Sequence, residues 1–149
     1  MTTLPVAPLL VIDTNVCLDL FVFEDPRWAA LLAALQDGRL RAVTSVSCRA
    51  EWLAVLQYTH LPVNELNRGS IMAAFDQLIK CAEPAMTRTE KLPVCSDPDD
   101  QKFMELARDS KAAYLLTKDK ALLKCAKKVA HSGLFQILLP EYFLKNIPF

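Results

Sequence analysis

Leu9-Leu10-Val11-Ile12-Asp13-Thr14-Asn15-Val16 is the stretch whose reading decides the fold. Four apolar residues without polar alternation, ending on a carboxylate, describe a strand covered on both faces, as in a parallel sheet. Asp13 then stands at the C-terminal end of that strand. Working outward, Trp28, Leu31, Leu32 and Leu35 recur at helical spacing between the Asp25-Pro26 start signal and the Gly38 stop, which predicts a helix over 26–36. Arg41 to Thr44 is a second short strand. Ser45 or Ser47 opens a helix running to about Tyr58, and Asn64 opens another reaching Cys81, with Ile71, Met72, Phe75, Leu78 and Ile79 on its apolar face.

The polar segment 83–96, with Pro84 and Pro93, predicts an irregular connection carrying one edge strand. Asp97 reads as a cap and Pro98 as the first residue of a helix that buries Phe103, Leu106 and Ala107. Tyr114 to Thr117 is a further strand, followed by a helix over 119–129, a strand from Leu134 to Leu138 after Gly133, and a last helical turn over 141–145. Strands alternating with helices predict an α/β fold of three layers, a central, mainly parallel sheet flanked by helices.

The 149 residues suffice for one domain, taken as 1–149, and 52% of them are apolar, which describes a packed globule rather than a tail. Seventeen basic and 17 acidic side chains cancel, so the broad positive field of a typical nucleic-acid binder is missing. Contact with phosphate must be local or metal-mediated. Five scattered cysteines without a C-x-x-C pair, and only two histidines, argue against a zinc site and for reduced thiols in a cytoplasmic protein. The apolar run from Leu4 to Ile12 holds Pro5 and Pro8 and is too short to span a membrane.

Four acids stand out. Asp13 is the only carboxylate in residues 1–18, Glu51 the only one between Asp37 and Glu65, and Asp119 the only one between Asp109 and Glu141. Asp13 and Asp119 follow apolar strands, where ligands collect in open parallel sheets. Glu51 lies in an otherwise uncharged or apolar helix with Arg49, an expensive place for a carboxylate without a partner. Asp100 belongs to the acidic first turn Asp97-Pro98-Asp99-Asp100. Each has a plain alternative: an Asx-turn for Asp13, a solvated or Arg-paired Glu51, an acid-rich first turn for Asp100, a helix cap for Asp119. Taken together, an all-oxygen set without His or Cys suits a hard cation such as Mg²⁺ or Mn²⁺, which relieves the mutual repulsion and activates water toward a phosphodiester.

The segments V-I-D-T-N-V at 11–16, S-V-S-C-R-A before Glu51, C-S-D-P-D-D-Q-K-F-M-E-L-A at 95–107 and Y-L-L-T-K-D-K-A-L-L at 114–123 resemble the PIN-domain family, nearest to bacterial VapC-like toxins of toxin–antitoxin systems. The resemblance implies a Rossmann-like sheet and an endoribonuclease dependent on Mg²⁺ or Mn²⁺, acting on single-stranded RNA. It also implies a small antitoxin protein as partner, and leaves a homodimer open. Carried over by motif position, the catalytic and metal-holding acids are Asp13, Glu51, Asp100 and Asp119, with Thr14, Asn15 and Asp99 in support. Ala121 departs from the T-G-D-x-D-L-L pattern of many relatives, and Lys118 and Lys120 flank Asp119.

Two rivals use the same sheet. An aspartate-nucleophile phosphatase would want D-x-D where this chain has Asp13-Thr14-Asn15, and a receiver-like domain would want an acidic pair there. A non-catalytic interaction protein on the same fold is the third reading. Arg49, Lys118 and Lys120 are candidates for phosphate contact or for plain surface roles.

Overall fold

The computed structural model describes residues 6–83 and 86–149. Five strands, β1 (Leu9–Ile12), β2 (Arg41–Thr44), β3 (Ile79–Cys81), β4 (Tyr114–Leu116) and β5 (Gln136–Leu138), pair in parallel in the order β3-β2-β1-β4-β5. The helices are α1 (Thr14–Phe21), α2 (Ala29–Gln36), α3 (Val46–Val55), α4 (Arg68–Leu78), α5 (Gln101–Asp109), α6 (Lys120–Leu123), α7 (Ala126–Ser132) and α8 (Pro140–Asn146).

Strand periodicity divides the core in two. Leu10, Ile12, Ala42 and Leu116 face the layer built by α1, α2, α4 and α8, where Trp52 of α3 stacks on Phe75 at 4.8 Å between ring centres. Val11, Val43, Leu115 and Ile137 face the opposite layer of α5, α6 and α7, with Phe103, Met104, Leu122 and Val129 fully buried. The central strands are therefore covered on both faces, which is why β1 and β4 read as unbroken apolar runs, whereas β2 begins on exposed Arg41 and the edge strands carry exposed Lys80 and Gln136. The expected three-layer α/β architecture is the one observed.

Several local expectations need correction. Helix α1 occupies the stretch between Asp13 and the Asp25 turn, where no element is expected; Asp13 caps it, accepting from Thr14 N at 2.7 Å. The helix after Asn64 starts only at Arg68 and ends at Leu78, because Asn64 closes a separate turn by accepting from the amides of Leu66 and Asn67. Its expected tail, Ile79–Cys81, is instead the edge strand β3. The edge strand expected within 83–96 is not found among the described residues, and Pro84 lies outside them. The expected helix over 119–129 is two, α6 and α7, and the segment from Pro26 begins as a 3₁₀ turn before α2.

The strand order reverses between β1 and β4: from β1 the chain winds outward through β2 to β3, then returns to β4 on the other side. In doubly wound sheets that switch leaves a crevice at the C-terminal ends of the two central strands, since their connections leave in opposite directions. Asp13 follows β1 directly, and Thr117 and Asp119 follow β4.

Candidate active site

The loop ends of β1 and β4 are locked together. Asp13 N–H donates to Leu116 O at 2.9 Å, continuing the strand ladder past the last paired residues. Thr117, fully buried, donates from Oγ1 to Asp13 Oδ2 at 2.7 Å and accepts from the Asp119 amide at 2.9 Å. Asn15 Nδ2 adds a bond to the same Asp13 oxygen at 3.2 Å, and its Oδ1 accepts from Lys118 N. The Asp13 carboxylate, 3% exposed, is thus held by donors on both oxygens. Burial nevertheless raises its pKa to about 6; the bonds from Thr117 and Thr14 oppose the rise, and the charges of Glu51 and Asp119 add to it.

Asp100 reaches the same place from the other layer. Asp97 caps a 3₁₀ turn, Pro98–Asp100, by accepting from Asp99 N at 3.0 Å, and α5 continues from it. With Asp97 as the cap, Asp100 makes no side-chain capping bond to α5 and is buried to 7% exposure. Its Oδ2 has no hydrogen-bond partner among the described residues. Burial first, then the charges of Asp119, Asp13 and Asp97, push its pKa up to about 7. Asp119, half-buried, caps α6 through Oδ1 to Ala121 N at 2.7 Å. The electrostatic neighbours Asp13, Asp100 and Asp119 therefore gather from three separate segments.

Glu51 stands apart in its bonding. Ser45, not Ser47, caps α3, accepting from Cys48 N at 3.2 Å, and this places Glu51 toward α1 and α5. Thr14 Oγ1 donates to Glu51 Oε2, and Lys102 Nζ donates to Oε1 at 2.9 Å. Both oxygens are engaged. Arg49 pairs with Asp76 rather than with Glu51, Lys118 pairs with Asp19, and the Lys120 side chain is exposed. The Asp99 side chain is exposed too; its backbone oxygen, not its carboxylate, joins the cluster by accepting from Lys102.

Among the described residues, no group of three or more His, Cys, Asp or Glu side chains stands close enough together to hold a metal ion. Mg²⁺ does not require one, since it is commonly held by one or two carboxylates and completes its shell with water. A buried carboxylate oxygen without a partner, on a side chain that burial and three like charges hold toward its protonated form, is what a hard cation satisfies. The donor set fits Mg²⁺ or Mn²⁺.

Three members of the network are not singled out by the sequence: Thr117, Lys102 and Asp19. A threonine two residues before Asp119 is the only local hint of the first. Asp19 is buried within α1, accepting from Trp28 Nε1 at 3.0 Å and forming an ion pair with Lys118 Nζ at 2.7 Å.

A doubly wound α/β fold with buried carboxylates at its switch point defines a Rossmann-like protein with an acidic cluster at the C-terminal edge of its sheet. A family model described as PIN domain matches residues 9–121, and the chain belongs to the PIN-domain family. No curated protein matches it. PIN domains are generally metal-dependent nucleases. No helix among the described residues is long and apolar enough to cross a membrane.

Proposed function

We propose that the chain is a divalent-metal-dependent endoribonuclease that cleaves single-stranded RNA, and that it is the toxin of a type II toxin–antitoxin module. The observation that carries the nuclease reading is the buried, partnerless Asp100 Oδ2 beside Asp119 and Asp13 at the switch point. RNA as the target, and an antitoxin protein as partner, rest on the likeness of the four motifs to VapC-like toxins.

In this reading Asp100, Asp119 and Asp13 hold Mg²⁺ or Mn²⁺. Glu51, whose oxygens are taken by Thr14 and Lys102, acts from farther out, through water. When bound, the ion neutralises charge on the phosphodiester and acidifies water for attack. Thr117 and Asn15 keep the Asp13 carboxylate in one orientation, and Thr14 ties Glu51 to the same corner. Asp13 also accepts from the first amide of α1, so its position is fixed by backbone as well as side chains.

The aspartate-nucleophile reading gains nothing from the geometry, because Asn15 stands where a second acid would be needed and donates to Asp13 instead. The open ligand arrangement is the one feature that favours a non-catalytic PIN fold, and Mn²⁺ calorimetry separates that reading from catalysis. The decisive test incubates purified protein with structured and unstructured RNAs in Mg²⁺ or Mn²⁺, then with chelator, beside Asp13→Asn. Metal-dependent cleavage of unstructured RNA, lost by a factor of at least about 100 in the variant while its circular dichroism stays unchanged, is the expected result. Equal activity of the two proteins would remove Asp13 from the mechanism.

A further inference from the structure

We propose that Lys102 is a substrate-binding residue of this centre, its ammonium placed to contact a backbone phosphate of the nucleic acid; the inference rests on the nuclease reading above. Lys102 lies in the first turn of α5 and folds back over its own helix start. Its Nζ donates to Asp99 O at 2.6 Å and to Glu51 Oε1 at 2.9 Å. An ammonium has three N–H groups. Two are used, and the third makes no hydrogen bond among the described residues, the ammonium lying 5.4 Å from the centre of the Phe103 ring.

The position matters as much as the valence. Glu51 is bonded to Thr14, the neighbour of Asp13, and Asp99 precedes Asp100, so the ammonium belongs to the rim of the acidic cluster. Among the described residues, its bond to Glu51 is the only ion pair that any of the four acids makes. The other cations nearby in sequence are committed elsewhere, Arg49 to Asp76 and Lys118 to Asp19.

Four carboxylates repel a polyanion, and a chain of zero net charge offers no long-range attraction to offset this. A cation already held by an acid and a carbonyl supplies a fixed point charge without the entropy cost of ordering a loose lysine on binding. Both side chains are 27% exposed, so solvent screens the pair and the fold has little need of it.

The test reads binding without cleavage. A fluorescein-labelled unstructured RNA is titrated with protein in EDTA, by anisotropy, from about 50 to about 200 mM KCl. Wild type is expected to bind, and Lys102→Met to show a log–log salt slope shallower by about 0.7, the loss of one phosphate contact on a single strand. Lys102→Arg should keep the wild-type slope. Lys102→Gln retains a donor for Glu51 without the charge, so it should follow Lys102→Met and serves if that variant misfolds. A lysine that only positions Glu51 would slow cleavage and leave the slope alone, so parallel slopes overturn the proposal. RNA that wild type cleaves in Mn²⁺ but does not bind in EDTA overturns it as well and leaves the nuclease reading standing. Neither cleavage nor binding overturns both.

Discussion

Thr117 Oγ1 donates to Asp13 Oδ2 at 2.7 Å across a sequence separation of 104 residues, and the same oxygen accepts from the Asp119 amide. One hydroxyl thus couples the ends of the two central strands and orients the first and fourth acids together. Replacing it with an isosteric methyl leaves a partly buried amide without an acceptor and removes a donor from the buried Asp13.

Thr117→Val is therefore expected to cost about 1–3 kcal/mol in urea unfolding, the penalty for orphaning a buried polar group. Cleavage should fall about 10- to 100-fold, as for groups that orient metal-holding carboxylates, through kcat rather than KM. Thr117→Ser keeps the hydroxyl and should recover most of both. A Val variant with wild-type kcat would show that the bond is dispensable.

The raised pKa values of Asp13, about 6, and Asp100, about 7, have a definite sign for stability. Both groups hold a proton more tightly folded than unfolded, so their contribution is complete below about pH 4 and is lost as pH rises through 6 to 7. In EDTA the Tm of wild type should fall relative to Asp100→Asn over that interval, because the amide cannot ionise. Mn²⁺ should raise the wild-type Tm at pH 7.5 and have little effect at pH 4.5, where protons occupy the ligands. Scanning fluorimetry reads both, and parallel pH curves for the two proteins would refute the assignment.

Asp19 ties α1 to Trp28 and to Lys118 in the loop that carries Asp119. Asp19→Ala leaves the Trp28 N–H and the Lys118 ammonium without their acceptor, at an expected cost of about 2 kcal/mol. Asp19→Asn keeps an acceptor for Trp28 and should lose less than half of that. Lys118→Met should lose least, since the Lys118 side chain is 38% exposed and solvent screens the pair. Equilibrium unfolding of the three variants checks the order.

Much of the fold is legible in the sequence because the central strands are covered on both faces: β1 and β4 are short apolar runs ended by a polar residue, and β2 holds buried Ala42 and Val43 between Arg41 and Thr44. Helix α1 is hidden by Asp13 itself, whose cap role leaves no separate start signal. Strand β3 is hidden because Ile79-Lys80-Cys81 follows α4 without glycine or proline, and Ile79 continues the helical apolar face. At the site, Asp13 and Asp119 are legible from their places after strands, and Asp100 mainly from the likeness of its motif to the PIN-domain family. Lys102 and Thr117 are not, because each takes its meaning from a partner 51 or 104 residues away. A spacing rule reaches one helix turn, whereas these bonds exist only once the sheet has closed.

The insertion of β4 beside β1 also has a consequence for biosynthesis. The first acid leaves the ribosome early, but its hydrogen-bonded partner lies 104 residues later, so a nascent chain cannot assemble the pocket until most of it has been translated. Truncated products ending before Thr117 carry Asp13, Glu51 and Asp100 without the strand end that aligns them. On the proposed ribonuclease reading, a chain that ends before Thr117 is expected to be inert toward the RNA that encodes it.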